Sequence, residues 1–92
     1  MASNTIICNI QPFDAIQTIH VTDYITSNLF KSDMENLSLD LYSAAIENNA
    51  ERILIYGHPE YAQKILNELK QKEQNNAYNK KVRVYLNGQI CN

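Results

Sequence analysis

The sequence predicts a single α/β domain over residues 1–92, with a mixed five-stranded sheet and two helices packed on it in the order β-β-β-α-β-α-β. Three observations predict this class. Polar and apolar residues alternate in short runs over the first third of the chain, as in half-buried strands. The apolar spacing then changes to a helical period near residue 34. Finally, the continuous apolar run of residues 52–56 stands between two helical patterns, which is typical of a central parallel strand.

The N-terminal third predicts three strands. Residues 5–10 are apolar and β-branched, and Pro12 ends the run in a turn. Residues 16–21 alternate, with Gln17, Ile19 and Val21 sharing one side. Residues 24–30 alternate again and predict a third strand, although a helix is the alternative there.

Loop and N-cap residues at 31–33 precede a predicted amphipathic helix at 34–48. We expect this helix to end at Asn48-Asn49, because Asn tolerates the left-handed conformation common after a helix. Residues 52–56 predict a strand buried on both of its faces. The next helix is predicted from Pro59, which suits the first helical position, to about residue 75.

The last predicted strand covers residues 81–86, with Val82, Val84 and Leu86 facing inward. Asn87-Gly88 is a strong type I′ turn dipeptide. The remaining four residues suffice for a tail or for one short returning strand.

Composition excludes several classes of protein. The net charge of −2 argues against a nucleic-acid binder, and no apolar run is long enough to span a membrane. Amides are unusually frequent, with 12 Asn and 6 Gln among 92 residues. Cys8 and Cys91 are too few for a disulfide scaffold, and no signal peptide is apparent, so we expect a cytoplasmic protein. We also expect no metal, because His20 and His58 lack a third ligand, and no cofactor.

The order of elements resembles the core of the ribonuclease H-like fold, which the subdomains of actin/Hsp70-type ATPases share. The resemblance implies a metal-binding Asp in the first strand and further carboxylates near the end of the fourth. This sequence has Asn9 in the first strand and Tyr56, Gly57 and His58 at the end of the fourth. A neutral amide is a poor ligand for Mg²⁺, so we expect no nuclease activity. The paired subdomains and Gly-rich phosphate loop of the ATPases are also missing.

Two segments resemble small uncharacterised proteins of tailed bacteriophages. They are Gln11-Pro12-Phe13-Asp14-Ala15-Ile16-Gln17-Thr18 and Ile53-Leu54-Ile55-Tyr56-Gly57-His58-Pro59-Glu60-Tyr61-Ala62, followed by a Tyr/Asn-rich loop. The resemblance implies viral or prophage origin, a location in the host cytoplasm, and no particular activity.

The most site-like segment is the strand-to-helix turn at Gly57-His58. Backbone N–H groups at such a turn can bind an anion, with Gly57, His58 and Glu60 as the ligand-binding candidates. The competing interpretation is a plain tight turn, since Glu60 would itself repel an anion.

Six of the eight aromatic residues are tyrosines, a residue type enriched at protein interfaces. We assign Tyr24, Tyr78, Arg83 and Tyr85 to a candidate interface, with Tyr85 facing outward on an edge strand. The sequence therefore favours a non-catalytic protein that binds a protein partner or forms a homo-oligomer, such as a host-factor or defence inhibitor or an assembly component. The alternative is a small-ligand or nucleotide binder that uses the Gly57-His58 turn, with hydrolase activity as an extension.

Overall fold

The computed structural model describes residues 4–22, 27–75 and 82–91 and contains one mixed sheet with two helices. The elements are β1 (Asn4–Asn9), β2 (Ile16–Thr22), β3 (Ser27–Asp33), α1 (Leu37–Glu47), β4 (Ala50–Tyr56), α2 (Pro59–Asn75), β5 (Arg83–Leu86) and β6 (Gln89–Ile90). The predicted α/β class, the mixed sheet and the two helices are thereby confirmed.

The strands lie in the order β3-β2-β1-β4-β5-β6. β1, β4 and β5 are parallel neighbours, while β2 is antiparallel to both β1 and β3. The chain thus passes from β3 to β4 through α1 and from β4 to β5 through α2, moving in the same direction across the sheet. Because such crossovers are right-handed, both helices are placed on the same face of the sheet, and α1 and α2 pack against each other there.

The core lies between this face of the sheet and the two helices. Its strand residues are Ile6, Cys8, Ile19, Val21, Ala50, Ile53, Ile55 and Val84, and its helix residues are Leu37, Leu41, Tyr42, Ala44, Ala45, Ala62, Ile65, Leu66 and Leu69. Ile10 follows β1 and Val82 precedes β5, and both also belong to the core. The apolar side chains that recur every second residue in the strands therefore pack against those that recur with the helical period in α1 and α2.

The prediction of five strands was wrong, because the sheet has a sixth. Asn87 and Gly88 have φ values of 49° and 89°, which is the conformation that a type I′ turn needs, and the chain returns antiparallel as β6. β6 pairs Ile90 with Tyr85. β5 is therefore not an edge strand, contrary to the expectation for Tyr85.

The boundary between the third strand and the first helix was also misplaced. Residues 31–33 belong to β3, where they pair with the start of β2, and α1 begins at Leu37 rather than near residue 34. A turn separates the two elements, and in it the Asp33 carboxylate accepts hydrogen bonds from the Asn36 N–H and Nδ2, at 2.9 and 3.0 Å. Residues 23–26 at the predicted start of this strand lie outside the described residues.

One turn confirms a role predicted for amides, and a second shows a role that was not predicted. Asn49 follows α1 with a φ of 53°, and the Asn48 side chain donates to the Ala44 carbonyl at 2.8 Å. Gln17 shares the buried side of β2 with Ile19 and Val21, as predicted. Its amide continues the hydrogen bonding of the sheet into the β1–β2 turn, where it bonds to the backbone of Gln11 and Asp14.

The prediction that β4 is buried on both faces was wrong. Ile53 and Ile55 are buried against the helices, but Leu54 is only half-buried and Arg52 and Tyr56 are exposed. The apolar run reflects the central position of β4 between two parallel neighbours and not a second covering layer. Among the described residues, no helix is long and apolar enough to cross a membrane.

Candidate functional site

The face of the sheet turned away from the helices is the most distinctive surface of the described chain. No described helix or strand packs over it, and we call it the open face. The alternation of the strands assigns to it the side chains of Ile7, Asn9, Ile16, Thr18, His20, Leu29, Lys31, Asp33, Arg52, Leu54, Tyr56, Arg83, Tyr85 and Ile90.

A mainly apolar row crosses the open face from edge to edge. Through successive register pairs, Leu29 is opposite His20, His20 opposite Ile7, and Ile7 opposite Leu54. The same row continues through Tyr85 to Ile90 at the other edge. Adjacent strands lie about 4.8 Å apart, so these side chains form one continuous stripe.

The stripe is well exposed at its ends. Leu29 is 67% exposed and Ile90 is 56% exposed, and Ile16 above the stripe is 52% exposed. The central members, Ile7 and Leu54, are half-buried by their neighbours alone. Single exposed apolar residues are ordinary, but a contiguous patch on one face is typical of a surface that another molecule covers.

Charges lie at two opposite corners of the open face. Arg52 and Arg83, the only arginines in the chain, are register partners at the starting ends of β4 and β5. Asp33 ends β3 at the diagonally opposite corner, where it is the register partner of Ile16. Asp14 lies in the adjoining turn and lines the same face. Lys31 lies on the same face two residues before Asp33, so the two aspartates and this lysine give the acidic corner a net charge of −1, against +2 for the basic corner. The apolar stripe lies between the two corners.

A shallow concavity of about 320 Å³ lies between the acidic corner and the stripe. Its polar lining includes Asn9, Asp14 and His20, and its apolar lining consists of Ile7, Ile16 and Leu29. The His20 ring is hydrogen-bonded through Nε2 to the Ser27 hydroxyl. Asn9 is an exposed side chain beside the stripe.

The Gly57-His58 turn is closely engaged with its own surroundings. The Gly57 N–H donates to Asn87 Oδ1 and the Gly57 carbonyl accepts from Asn87 Nδ2, both at 3.0 Å. His58 Nδ1 accepts from the Glu60 N–H at 3.3 Å, which is the geometry of a helix N-cap. The His58 ring also contacts Tyr61 edge-on, with 6.0 Å between ring centroids. An anion at this turn would have to displace Asn87 from the Gly57 N–H.

The predicted interface residues have different outcomes. Arg83 and Tyr85 both lie on the open face, where Tyr85 is half-buried in the stripe. Tyr24 and Tyr78 lie outside the described residues. Sequence reasoning missed Leu29, Arg52 and Leu54, although one signal could have found them. Two crossovers that run in the same direction put both helices on one face, and so leave every second residue of each strand uncovered.

The cysteines and histidines do not form a reactive cluster in the described residues. Both thiols are free, with Cys8 buried and Cys91 half-buried. Burial raises the pKa of the Cys8 thiol to about 11, so Cys8 is a buried apolar residue rather than a nucleophile. Over the described ranges, no three His, Cys, Asp or Glu side chains are placed to hold a metal ion.

Comparisons with known proteins found no matching family model, no matching curated protein and no matching solved structure.

Proposed function

We propose that this chain is a non-catalytic interaction protein whose binding surface is the open face. The observation that carries the proposal is the stripe from Leu29 to Ile90, which crosses the whole sheet and is covered by no described element. The strands of parallel sheets are normally covered on both faces, because removal of their apolar side chains from water lowers the free energy. Burial of this apolar surface by a partner favours association, and only the surplus over the lost translational and rotational freedom appears as affinity.

The edge of the sheet supplies a second binding element. β3 is the outermost strand on its side, seven residues long, and most of its side chains are exposed. Leu29 and Phe30 are 67% and 47% exposed, on opposite faces of this strand. An unpaired strand edge offers backbone N–H and C=O groups to a partner strand, and here it adjoins the end of the stripe.

We further propose that the fold is a ribonuclease H-like core that has lost catalysis. The order β3-β2-β1-β4-β5, with β2 antiparallel to both of its neighbours, supports this assignment. The neutral Asn9 on β1 supports the loss of metal-dependent chemistry, because that position offers no charge to Mg²⁺. The likeness to small tailed-phage proteins supports a viral origin, with a host or viral protein, or another copy of this chain, as the partner in the host cytoplasm.

Site-specific photo-cross-linking tests the binding role directly. A benzophenone side chain replaces Leu29 or Ile16 on the open face, and in matched controls it replaces Gln63 or Lys70, which are exposed on α2. We expect protein adducts from the open-face positions and none from α2, in the cell that makes the protein and with the purified chain. Equal labelling from both sets of positions, or none from the open face, would contradict the proposal.

A further inference from the structure

We infer that the open face binds the open face of a second copy of this chain, forming a twofold-symmetric dimer. This inference rests on the proposed function, because it names the partner for that same surface.

The charges of the open face are self-complementary. The basic corner holds Arg52 and Arg83, and the corner diagonally across the face holds Asp14 and Asp33 with Lys31 beside them, which leaves it net negative. In a twofold contact the same patch serves both partners, so each basic corner can meet an acidic corner twice. Opposite charges then face each other at both ends, and the two apolar stripes cross at the centre of the contact, at Ile7 and Leu54.

One orientation of the twofold axis achieves this contact. The axis must lie between the two sheets, along the diagonal that separates the basic from the acidic corner. A rotation about that diagonal carries the strands of one copy nearly perpendicular to those of the other. Crossing at roughly 90° is one of the two arrangements in which sheets pack face to face, so the geometry is a standard one.

The paired arginines are costly in the isolated chain. Arg52 and Arg83 are directly opposite each other on neighbouring strands, where like charges destabilise a sheet. Within the described residues, neither guanidinium has a carboxylate partner of its own. Arginine is enriched in interfaces and among the residues that dominate binding energy. An acidic corner from a second copy would relieve the repulsion at this pair.

The area is sufficient for a weak dimer. Strand spacings of about 4.8 Å and rises of about 3.3 Å per residue give the open face dimensions of roughly 25 by 20 Å. Two such faces, treated as flat, bury about 1,000 Å² in total, which is the lower limit for a specific interface. We therefore expect a dimer that dissociates on dilution, rather than an obligate one.

Charge reversal at the two corners gives the decisive experiment. Molar mass is measured by light scattering and sedimentation equilibrium from about 5 to about 500 µM, where weak dimers populate both states. The expected masses are 10.6 kDa for the monomer and twice that for the dimer. The variants are Arg52→Glu/Arg83→Glu, which makes both corners acidic, and Asp14→Arg, which cancels the acidic corner. The Asp14 carboxylate accepts none of the hydrogen bonds found, so its replacement leaves the turn intact.

We expect each variant alone to dimerise at least about tenfold more weakly than the parent chain, because like charges or neutral corners then meet. A mixture of the two variants should associate more tightly than either alone, since the acidic corner of one meets the intact basic corner of the other. The control Lys64→Glu/Lys70→Glu changes net charge equally on the exposed side of α2 and should leave dimerisation unchanged. Equal urea midpoints at a concentration low enough to keep the parent chain monomeric would show that each variant is folded.

Three results would overturn the inference: a parent chain that stays monomeric at the highest concentration, charge variants that dimerise as well as the parent, or a mixture no tighter than its components. These failures are distinguishable from failure of the proposed function. Open-face cross-linking to a different protein, with a monomeric purified chain, would retain the interaction role and exclude the second copy as partner.

Discussion

Asn87 is hydrogen-bonded to Gly57 in both directions, as acceptor from its N–H and as donor to its carbonyl, with both distances 3.0 Å. The Asn87 side-chain amide thereby bonds to Gly57 as a backbone peptide group of a neighbouring strand would, at the point where β4 ends. The Asn87 N–H in turn donates to the Ile55 carbonyl at 2.8 Å. One residue of the β5–β6 turn therefore fixes the turn between β4 and α2.

The two hydrogen bonds from Asn87 should contribute measurably to folding. Asn87→Gly retains the positive φ of 49° but removes both bonds, so we expect the free energy of unfolding in urea to fall by about 1–2 kcal/mol. Asn87→Ala should cost about 1 kcal/mol more, because Ala is strained in the left-handed region. Asn67→Ala on α2, which loses one exposed side-chain bond from Gln63, is the control and should change stability by less than about 0.5 kcal/mol. A glycine variant as stable as the parent would show that water replaces Asn87 without cost.

Gly57 and Gly88 form a matched pair for testing a close approach of the backbone. A Cβ on Gly57, whose φ is +150°, would lie 3.0 Å from the Ile10 carbonyl oxygen and 3.1 Å from the Ile10 Cβ. A Cβ on Gly88, whose φ is +89°, would meet nothing within 4 Å. We expect Gly57→Ala to destabilise the protein by about 2–4 kcal/mol and Gly88→Ala by about 1 kcal/mol, measured by urea unfolding. Equal losses would mean that β1 moves away from the added methyl group without cost.

The sequence predicted the elements well because each follows from a local period. The helix from Pro59 to Asn75 begins at the proline that predicted its first position, and the turn at Asn87-Gly88 has the positive φ values that this dipeptide predicted. The end of β3 was mispredicted because Lys31-Ser32-Asp33 has turn-like composition. Pairing with β2 nevertheless keeps these residues in the sheet, and no local pattern reports that pairing.

The candidate site was harder to predict because it depends on which face the helices cover. The residues around Leu54 have the composition of a strand that is buried on both faces. Only the common direction of the two crossovers shows that one face of the sheet is uncovered. Arg52 and Arg83 are neighbours because of the parallel register of β4 and β5. The two residues are 31 positions apart in the sequence, and no sequence spacing predicts that register. Local chemistry therefore predicted the turns, whereas the site required topology and register.

Gln17 should be the amide with the largest stabilising role in the β1–β2 turn. It is 1% exposed, and its amide makes hydrogen bonds of 2.7, 2.7 and 2.9 Å to the Gln11 N–H, the Gln11 carbonyl and the Asp14 carbonyl. We expect Gln17→Ala to lower the free energy of unfolding by about 2–3 kcal/mol, because these groups lose their partner and a cavity forms. Gln17→Leu fills the volume without the bonds and should recover only part of the loss.

The control for this prediction is Gln63→Ala, which removes an exposed amide from α2 and should change stability by less than about 0.5 kcal/mol. Amide hydrogen exchange at Gln11 would locate the effect, since its N–H donates to Gln17 and should exchange faster in both variants. Unchanged exchange at Gln11 together with a large loss of stability would assign the role of Gln17 to packing rather than to hydrogen bonding.

Cys8 should make folding sensitive to high pH. Burial raises the pKa of its thiol from 9.0 to about 11, so the unfolded chain releases the proton at lower pH than the folded one. Its contribution to stability is therefore fully present below about pH 9 and is lost as the pH rises toward 11, by about 2 kcal/mol at the upper end. Cys8→Ala removes the ionisable group, so the stability difference between parent and variant should shrink over this interval in urea unfolding. Cys91→Ala, which removes the half-buried free thiol and keeps Cys8, is the control for the loss of a cysteine side chain. A constant difference between parent and Cys8→Ala from pH 9 to 11 would show that Cys8 ionises equally in both states, against its burial in the core.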